Sequence, residues 1–374
     1  MRIKSFATAQ AFPRYASCAS IKDFGAVGNG TANDAVALQK AINKVGSGCS
    51  IFFPPGVYRL SSNVTINKDI IFQLGPQVEV RQLARLIPST NAAWSLTIQG
   101  EGPGTSVWRP GVNHPFWSGT NGGPRFKNLR LINLEFRSIG TAGNTCVFGG
   151  STDLLEISFV TISRGDATSD FGIRTGDGAL TTAARNVLRD INVVGGGTKL
   201  AIECQDAALV HVERLTGDFD PFLGPSAFNF LRSGTGSMQV LISSCRITLG
   251  SISRSNVAPV IKVQTSGSGV LTVTINDVEI LTNSWDGALL ATTANTSSMN
   301  LLVNSLRFTV TVGSGGYAAR ILDSSSSVMR AVISASFFRA TSSHSGAAVE
   351  STLSNSSSLL TLAGVDQRGW DSLT

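Results

Sequence analysis

The chain of 374 residues has a formal net charge of +6, with 42% hydrophobic and 14% charged residues, and is long enough to bury a substantial core in one large or two medium domains. The charge comes from 22 Arg against 8 Lys, with no run of four basic residues. This speaks against a nucleic-acid tract and leaves room for an acidic ligand that guanidinium forks would grip. Cys18, Cys49, Cys146, Cys204 and Cys245 are odd in number, widely spaced and free of CxxC spacing, so core thiols are expected rather than a disulfide framework or a metal site; no cofactor is expected.

At the start, "MRIKSFATAQAFPRYASCAS" lacks the apolar run of a signal peptide. No later stretch approaches the roughly 18 apolar residues of a membrane span. Residues 1–20 are read as a flexible or anchoring peptide. "KDFGAVGNGTANDAVALQKAINK", residues 22–44, reads as a Gly-rich turn and then one amphipathic helix. Val36, Ala37, Leu38, Ala41, Ile42 and Val45 are its expected apolar stripe, and Asn33 or Asp34 its cap.

From about residue 126 a phrase recurs: apolar alternation, a small or polar break, then more alternation. It stands as "LRLINLEF", "LEISFVTI", "NVLRDINV", "LVHVERLT", "QVLISSCRIT", "LTVTINDVEI", "LLVNSLRF" and "AVISASFF". Markers at the break (Leu134, Phe159, Ile191, Leu215, Cys245, Val278, Leu306 and Ala335) recur at 24 to 33 residues. That variable period, with Gly, Ser, Thr and Asn between units, predicts a solenoid whose rungs are strands. Hairpin dipeptides every 8 to 12 residues, which a β-sandwich would show, are sparse. The predicted fold is all-β: a right-handed, single-stranded parallel β-helix over 61–374, with a capping turn, helix and first strand over 21–60. The helix would close the open end of the first rung.

The Asp23-Phe24-Gly25-Ala26-Val27-Gly28-Asn29-Gly30 turn, with Asn33-Asp34 and then Phe53-Pro54-Pro55-Gly56-Val57-Tyr58, resembles the amino-terminal signature of the pectate-lyase-like superfamily of right-handed parallel β-helices. It departs at Asn29 and Asn33, where that family more often has Asp. "LTIQGEGPGTSVW", residues 96–108, is similar to a second-rung phrase of bacteriophage tailspikes and capsule depolymerases. The resemblance implies a homotrimer on a virion that binds, and in many members cleaves, bacterial surface polysaccharide. Two alternatives stay open: a non-enzymatic virion fibre, decoration or receptor-binding protein, and a secreted cellular lyase or hydrolase. Neither motif is catalytic, so chemistry must come from the rungs.

Of 24 Asp and Glu, 11 fall between Asp153 and Asp220. Glycoside hydrolysis needs two carboxyl groups about 5 to 9.5 Å apart, and rungs at about 4.8 Å supply that spacing. The catalytic candidates are therefore Asp166, Asp170, Asp177, Glu203, Asp206, Asp218 and Asp220, with Asp177 and Glu203 or Asp206 leading. Turn acids accepting backbone amides are the competing explanation for each. Arg164 and Arg174 flank the acidic loop and could neutralise an acidic sugar. Trp108 and Trp117 could stack on a sugar face, or pack near the helix together with Trp94. His211, inside a strand phrase, reads as structural. The N-T-D, D-D, G-H-G and R-I-K motifs usual in the glycosidase family do not occur as a series, with "STD" at 151–153 a faint echo, leaving hydrolase against lyase open. The small, Ser-rich rungs after about residue 290 suit subunit packing.

Overall fold

The computed structural model describes residues 17–90, 93–111, 116, 124–137, 148–150, 152–163, 170–175, 184–194, 199–221, 226–249, 259–282, 287–310 and 317–373. These form a parallel β-solenoid with one α-helix, α1 (Ala35–Lys44), at its amino-terminal end.

The opening turn is built around one carboxylate. Asp34, 1% exposed, accepts hydrogen bonds from the amides of Val27 (2.7 Å) and Gly28 (3.3 Å), and from the Arg59 amide (3.2 Å) of the first regular rung. The helix start is thereby tied to the turn before it and to the strand Gly56–Leu60 after it. Asp34 occupies the N-cap without making a cap hydrogen bond; Asn33 Oδ1 accepts from the Ala35 and Ser61 amides instead. Gly28, at φ 66°, lies so close to Tyr58 that a Cβ would meet its ring at 3.0 Å, so a side chain is excluded there on two counts.

Helix α1 buries Ala35, Ala37, Leu38, Ala41 and Ile42, and Val45 beyond its end is buried with them. Val36 does not share the stripe, contrary to the sequence reading. It is 53% exposed, because the stripe through 34, 37, 38, 41 and 42 leaves position 36 on the solvent arc.

The recurring phrase corresponds to a strand bent at a corner. In Val270–Thr282, Leu271, Val273, Ile275, Val278 and Ile280 point inward and are buried. Between Ile275 and Val278, Asp277 adopts φ 52°. A left-handed residue turns the chain from one sheet to the next and resets the alternation, so two outward residues stand together. Equivalent corners lie at Asn133, Phe159, Asp190, Arg214, Ser244, Ser305 and Ala335. Register runs from Asn128–Arg137 through Leu154–Ser163, Arg185–Val194, Leu209–Pro221, Ser237–Leu249 and Val270–Thr282 to Ser298–Val310, always parallel.

A sheet of shorter strands completes each turn: Phe148–Gly150, Asp170–Thr175, Lys199–Gln205, Phe228–Arg232, Ile261–Thr265, Leu289–Thr293 and Tyr317–Leu322, each paired in parallel with the next. The solenoid begins well before residue 126. Ser50–Phe53, Ile70–Leu74 and Leu96–Gln99 stack beneath the first half of Asn128–Arg137, and Gly56–Leu60, Val78–Gln82 and Ser106–Pro110 beneath its second half.

The core is aliphatic and aromatic throughout, including Phe53, Phe72, Trp108, Phe136, Phe228 and Phe230 at 1% exposure or less. Cys204 and Cys245 are buried and Cys49 is half-buried, none of the three in a disulfide. Burial pushes the Cys245 thiol up to about 11. The two ends differ. α1 closes the first rung, whereas Leu359 and Leu362 of the strand Leu359–Ala363 are 60% and 38% exposed, although Leu362 continues the core column of Ile333.

Candidate functional site

The short-strand sheet brings part of the predicted acidic set together. Ile202 and Cys204 point inward and are buried, so Glu203 between them is on the outer face. Its register partners are Arg174 one rung earlier and Asn229 one rung later, followed by Lys262. At the start of the same strands, Lys199 is paired with Asp170 on one side and with Asp220 on the other. Asp170 and Asp220 are thus two rungs apart, about 9.6 Å along the axis, with a Lys position between them. Asp218 lies two residues earlier on the long-strand sheet, opposite Thr248. Asp170, Arg174, Lys199, Asp218 and Asp220 are placed by backbone register. Arg164, Asp166, Asp177 and Trp117 lie outside the described residues.

Asp206 does not belong to this face. It sits at the corner after Lys199–Gln205 with φ 55° and is 4% exposed. Its carboxylate accepts from the amides of Ser233 (2.8 Å) and Gly234 (3.2 Å) and from Ser233 Oγ, and it pairs with Arg232 Nη1 at 3.2 Å. The expected acid or base at Asp206 is thus a turn acid locking one corner to the next, with every contact in the protein interior. Trp108 is corrected in the same way. Its ring is wholly buried, Nε1 donates to Gln82 Oε1 at 2.7 Å, and Phe116 packs at 6.0 Å, leaving no face for a sugar. Trp94 is half-buried against the core and donates to Ser89 Oγ.

Two charged constellations escaped the sequence reading. On the long-strand face Glu156 pairs with Arg130 (3.3 Å) and Arg189 (2.9 Å), each on a neighbouring rung. Arg214 grips Asp190 at 2.7 and 2.9 Å and also contacts Glu213. His211 Nε2 lies 3.7 Å from Glu213, yet desolvation and then the Arg189 and Arg214 charges hold its pKa below the ordinary value. Neutral imidazole is therefore the resting form at neutral pH.

The second constellation spans the strands Val78–Gln82, Ser106–Pro110 and Asn128–Arg137. Glu79 accepts from Arg81 Nε at 2.6 Å and from Arg109 Nη1 at 3.3 Å. Desolvation raises its pKa, but the two arginines outweigh it and the carboxyl is held below its usual range, so Glu79 is unsuited to general acid work. Glu135, 6% exposed, accepts from Arg137, Ser163 Oγ and the Gly104 amide. Among the described residues no group of three His, Cys, Asp or Glu is arranged to hold a metal ion.

A family model described as rhamnogalacturonase A/epimerase, pectate lyase-like, matches residues 18–81, the cap and the first rungs. No curated protein matches the chain. Among solved structures, the Streptococcus pneumoniae surface protein and adhesin PfbA aligns over 95% of this chain and 98% of its own at 12% identity, with a TM-score of 0.36. The family 28 exopolygalacturonase of Yersinia enterocolitica aligns over 93% and 77% at 10% identity, with a TM-score of 0.36. ORF18 of Geobacillus virus E2 aligns over 95% and 60% at 15% identity, with a TM-score of 0.30. At these values the resemblance to solved structures carries no function across to this chain.

Proposed function

We propose that the protein binds and cleaves a bacterial surface polysaccharide on the outer face of the short-strand sheet, as a tailspike-type homotrimer on a virion. The observation that carries this reading is the register of Asp170, Lys199 and Asp220 beside that of Arg174, Glu203, Asn229 and Lys262. Asp positions two rungs apart, about 9.6 Å between backbones, stand close to the wide limit of the carboxyl separation used for inverting hydrolysis. The interleaved Lys and Arg positions suit a substrate that is itself acidic. Glu203 is the leading catalytic residue, with Asp177 as its proposed partner; Asp170 and Asp220 face Lys199, four residues or about 13 Å along the strand from Glu203, and form a separate candidate pair. Asp166 and Asp177, which bracket Asp170–Thr175 in the chain, and Arg164 at the same loop complete the proposed set.

Trimer formation is supported by the apolar residues exposed on the later rungs. Leu302 and Val332 are register neighbours on the outer face at 43% and 37% exposure, and Leu359, opposite Arg330, follows at the last described rungs. Ser17–Ser20 is already a solenoid strand paired with Ser50–Phe53, in place of the flexible end of the expected 1–20 peptide, so the residues before Ser17 would reach a particle or an adaptor protein.

A second reading is favoured by a specific observation. Glu79, Glu135, Glu156 and Asp190 are all held by arginines or backbone amides, as befits a surface built to bind rather than react. The purified protein should be incubated with capsular and O-antigen polysaccharides of candidate hosts. Release of reducing ends indicates hydrolysis and an unsaturated uronosyl product indicates lysis. Tight binding with neither product would select the non-enzymatic receptor-binding protein.

A further inference from the structure

Four arginines occupy one register column at the amino-terminal end of the solenoid. Arg59 pairs with Arg81, and Arg81 with Arg109. The register of Val107 with Glu135 and Trp108 with Phe136, continued by one residue, sets Arg137 above Arg109. All four are half-buried, and they stand on the sheet that follows the corners, on earlier rungs than Glu203. The column then changes character: Ser163 follows Arg137, and Val194 follows Ser163.

Like charges directly opposite on neighbouring strands destabilise a sheet. Here the four Arg positions stand on successive strands about 4.8 Å apart, a stripe of about 14 Å along the backbone. The adjacent column runs Val57, Glu79, Val107, Glu135, so only alternate rungs bring a carboxylate. Two carboxylates against four guanidinium groups leave two net positive charges. They also leave a donor unsatisfied, since Arg109 Nε is buried without an acceptor. Glu79 and Glu135 grip the Nε edges of Arg81 and Arg137. This holds two of the forks in place, and ordering a fork beforehand reduces what is lost when an anion binds.

We infer that this stripe is a binding site for a linear anionic glycan, lying along the solenoid axis with one acidic group addressed to each rung. A periodic row of guanidinium groups matches a polymer with a regularly repeated carboxylate, because each fork accepts one carboxylate in a bidentate pair. The site is on a different sheet and different rungs from the proposed cleavage face. It would serve as a subsite that holds the polymer whether or not the chain is cut.

Binding of oligogalacturonates to the full-length protein, measured by isothermal titration, tests the inference, with neutral dextran oligomers and inorganic polyphosphate as comparison probes. The uronate oligomers should bind and dextran should not, with affinity falling as salt rises. Arg81→Gln and Arg109→Gln should each weaken binding about tenfold. Glu79→Gln should tighten it, a gain that misfolding would not produce. Arg339→Gln makes the same charge change far along the solenoid, opposite Arg368, and should leave binding unaltered. Absence of uronate binding, or equal weakening by Arg339→Gln, would overturn the site. Equal affinity for polyphosphate would overturn its assignment to a glycan.

Discussion

Arg232 Nη1 lies 3.2 Å from Asp206 Oδ1 with the two side chains 3% and 5% exposed, an ion pair sealed between successive corners of the solenoid. The guanidinium also donates to the Asp206 carbonyl. Removing one partner of such a pair leaves a buried charge without compensation. Asp206→Ala should therefore cost about 3 to 5 kcal/mol of stability, read as a lowered melting temperature, while any glycan cleavage by the fraction still folded continues at the normal rate. Unchanged melting with lost turnover would restore Asp206 to the catalytic set.

The cap invites a comparable test. Asp34→Ala orphans the amides of Val27, Gly28 and Arg59 and should destabilise by on the order of 3 kcal/mol. Leu38→Asp or Ile42→Asp, at positions with 0% exposure, should cost several kcal/mol and expose the first rung to edge-to-edge association. Light scattering after mild heating would show aggregates in these variants. Val36→Asp, on the solvent arc, should behave as the wild type.

Acid should act through two separate groups. The groups facing His211 are Arg189, Arg214 and Glu213, with Val187 and Leu241 as register neighbours. Its pKa is depressed below 6.5, so its contribution is complete above pH 6.5 and is lost as pH falls through the folded-state value. Glu79 is likewise depressed, from 4.5, and its contribution is present above pH 4.5 and lost on further acidification. Melting temperature against pH should flatten just below 6.5 in His211→Gln and below 4.5 in Glu79→Gln. The same slope in wild type and variant would show that the group does not titrate as described.

The outer-face residues Leu302, Val332 and Leu359 are exposed on the later rungs. In a parallel homotrimer these residues are covered, and light scattering should give about three times the single-chain mass of 39.2 kDa. Leu302→Asp with Val332→Asp should produce monomers that keep their β signature. A wild-type protein of single-chain mass would remove the trimer.

The later rungs were legible because a corner residue disturbs strict alternation in a way the sequence records: in "LTVTINDVEI" the pair Asn276-Asp277 interrupts it at the left-handed residue. The earlier rungs, included in the 61–374 reading, do not carry the recurring phrase, because there each corner is a separate short segment. Gly75 to Gln77 lies between Ile70–Leu74 and Val78–Gln82, and Gly100 to Thr105 between Leu96–Gln99 and Ser106–Pro110. The Arg59, Arg81, Arg109 and Arg137 column was hidden for the same reason, since its members are aligned only once the loops between them have been threaded. Asp206 and Asp170 look alike as acids among small residues. What separates them is position within the rung, one at a buried corner and the other at a strand start, and that follows from register rather than from composition.

Cleavage at the short-strand face is tested most directly by comparing Glu203→Gln with the wild type on the polysaccharide that the wild type degrades. Glu203→Gln preserves the shape of the side chain, so melting and polymer binding should stay as in the wild type. Turnover, measured as new chain ends per unit time, should fall about 100-fold or more. Equal turnover in the two proteins, or no chain ends from the wild type on any polysaccharide it binds, would contradict a catalytic role for this face.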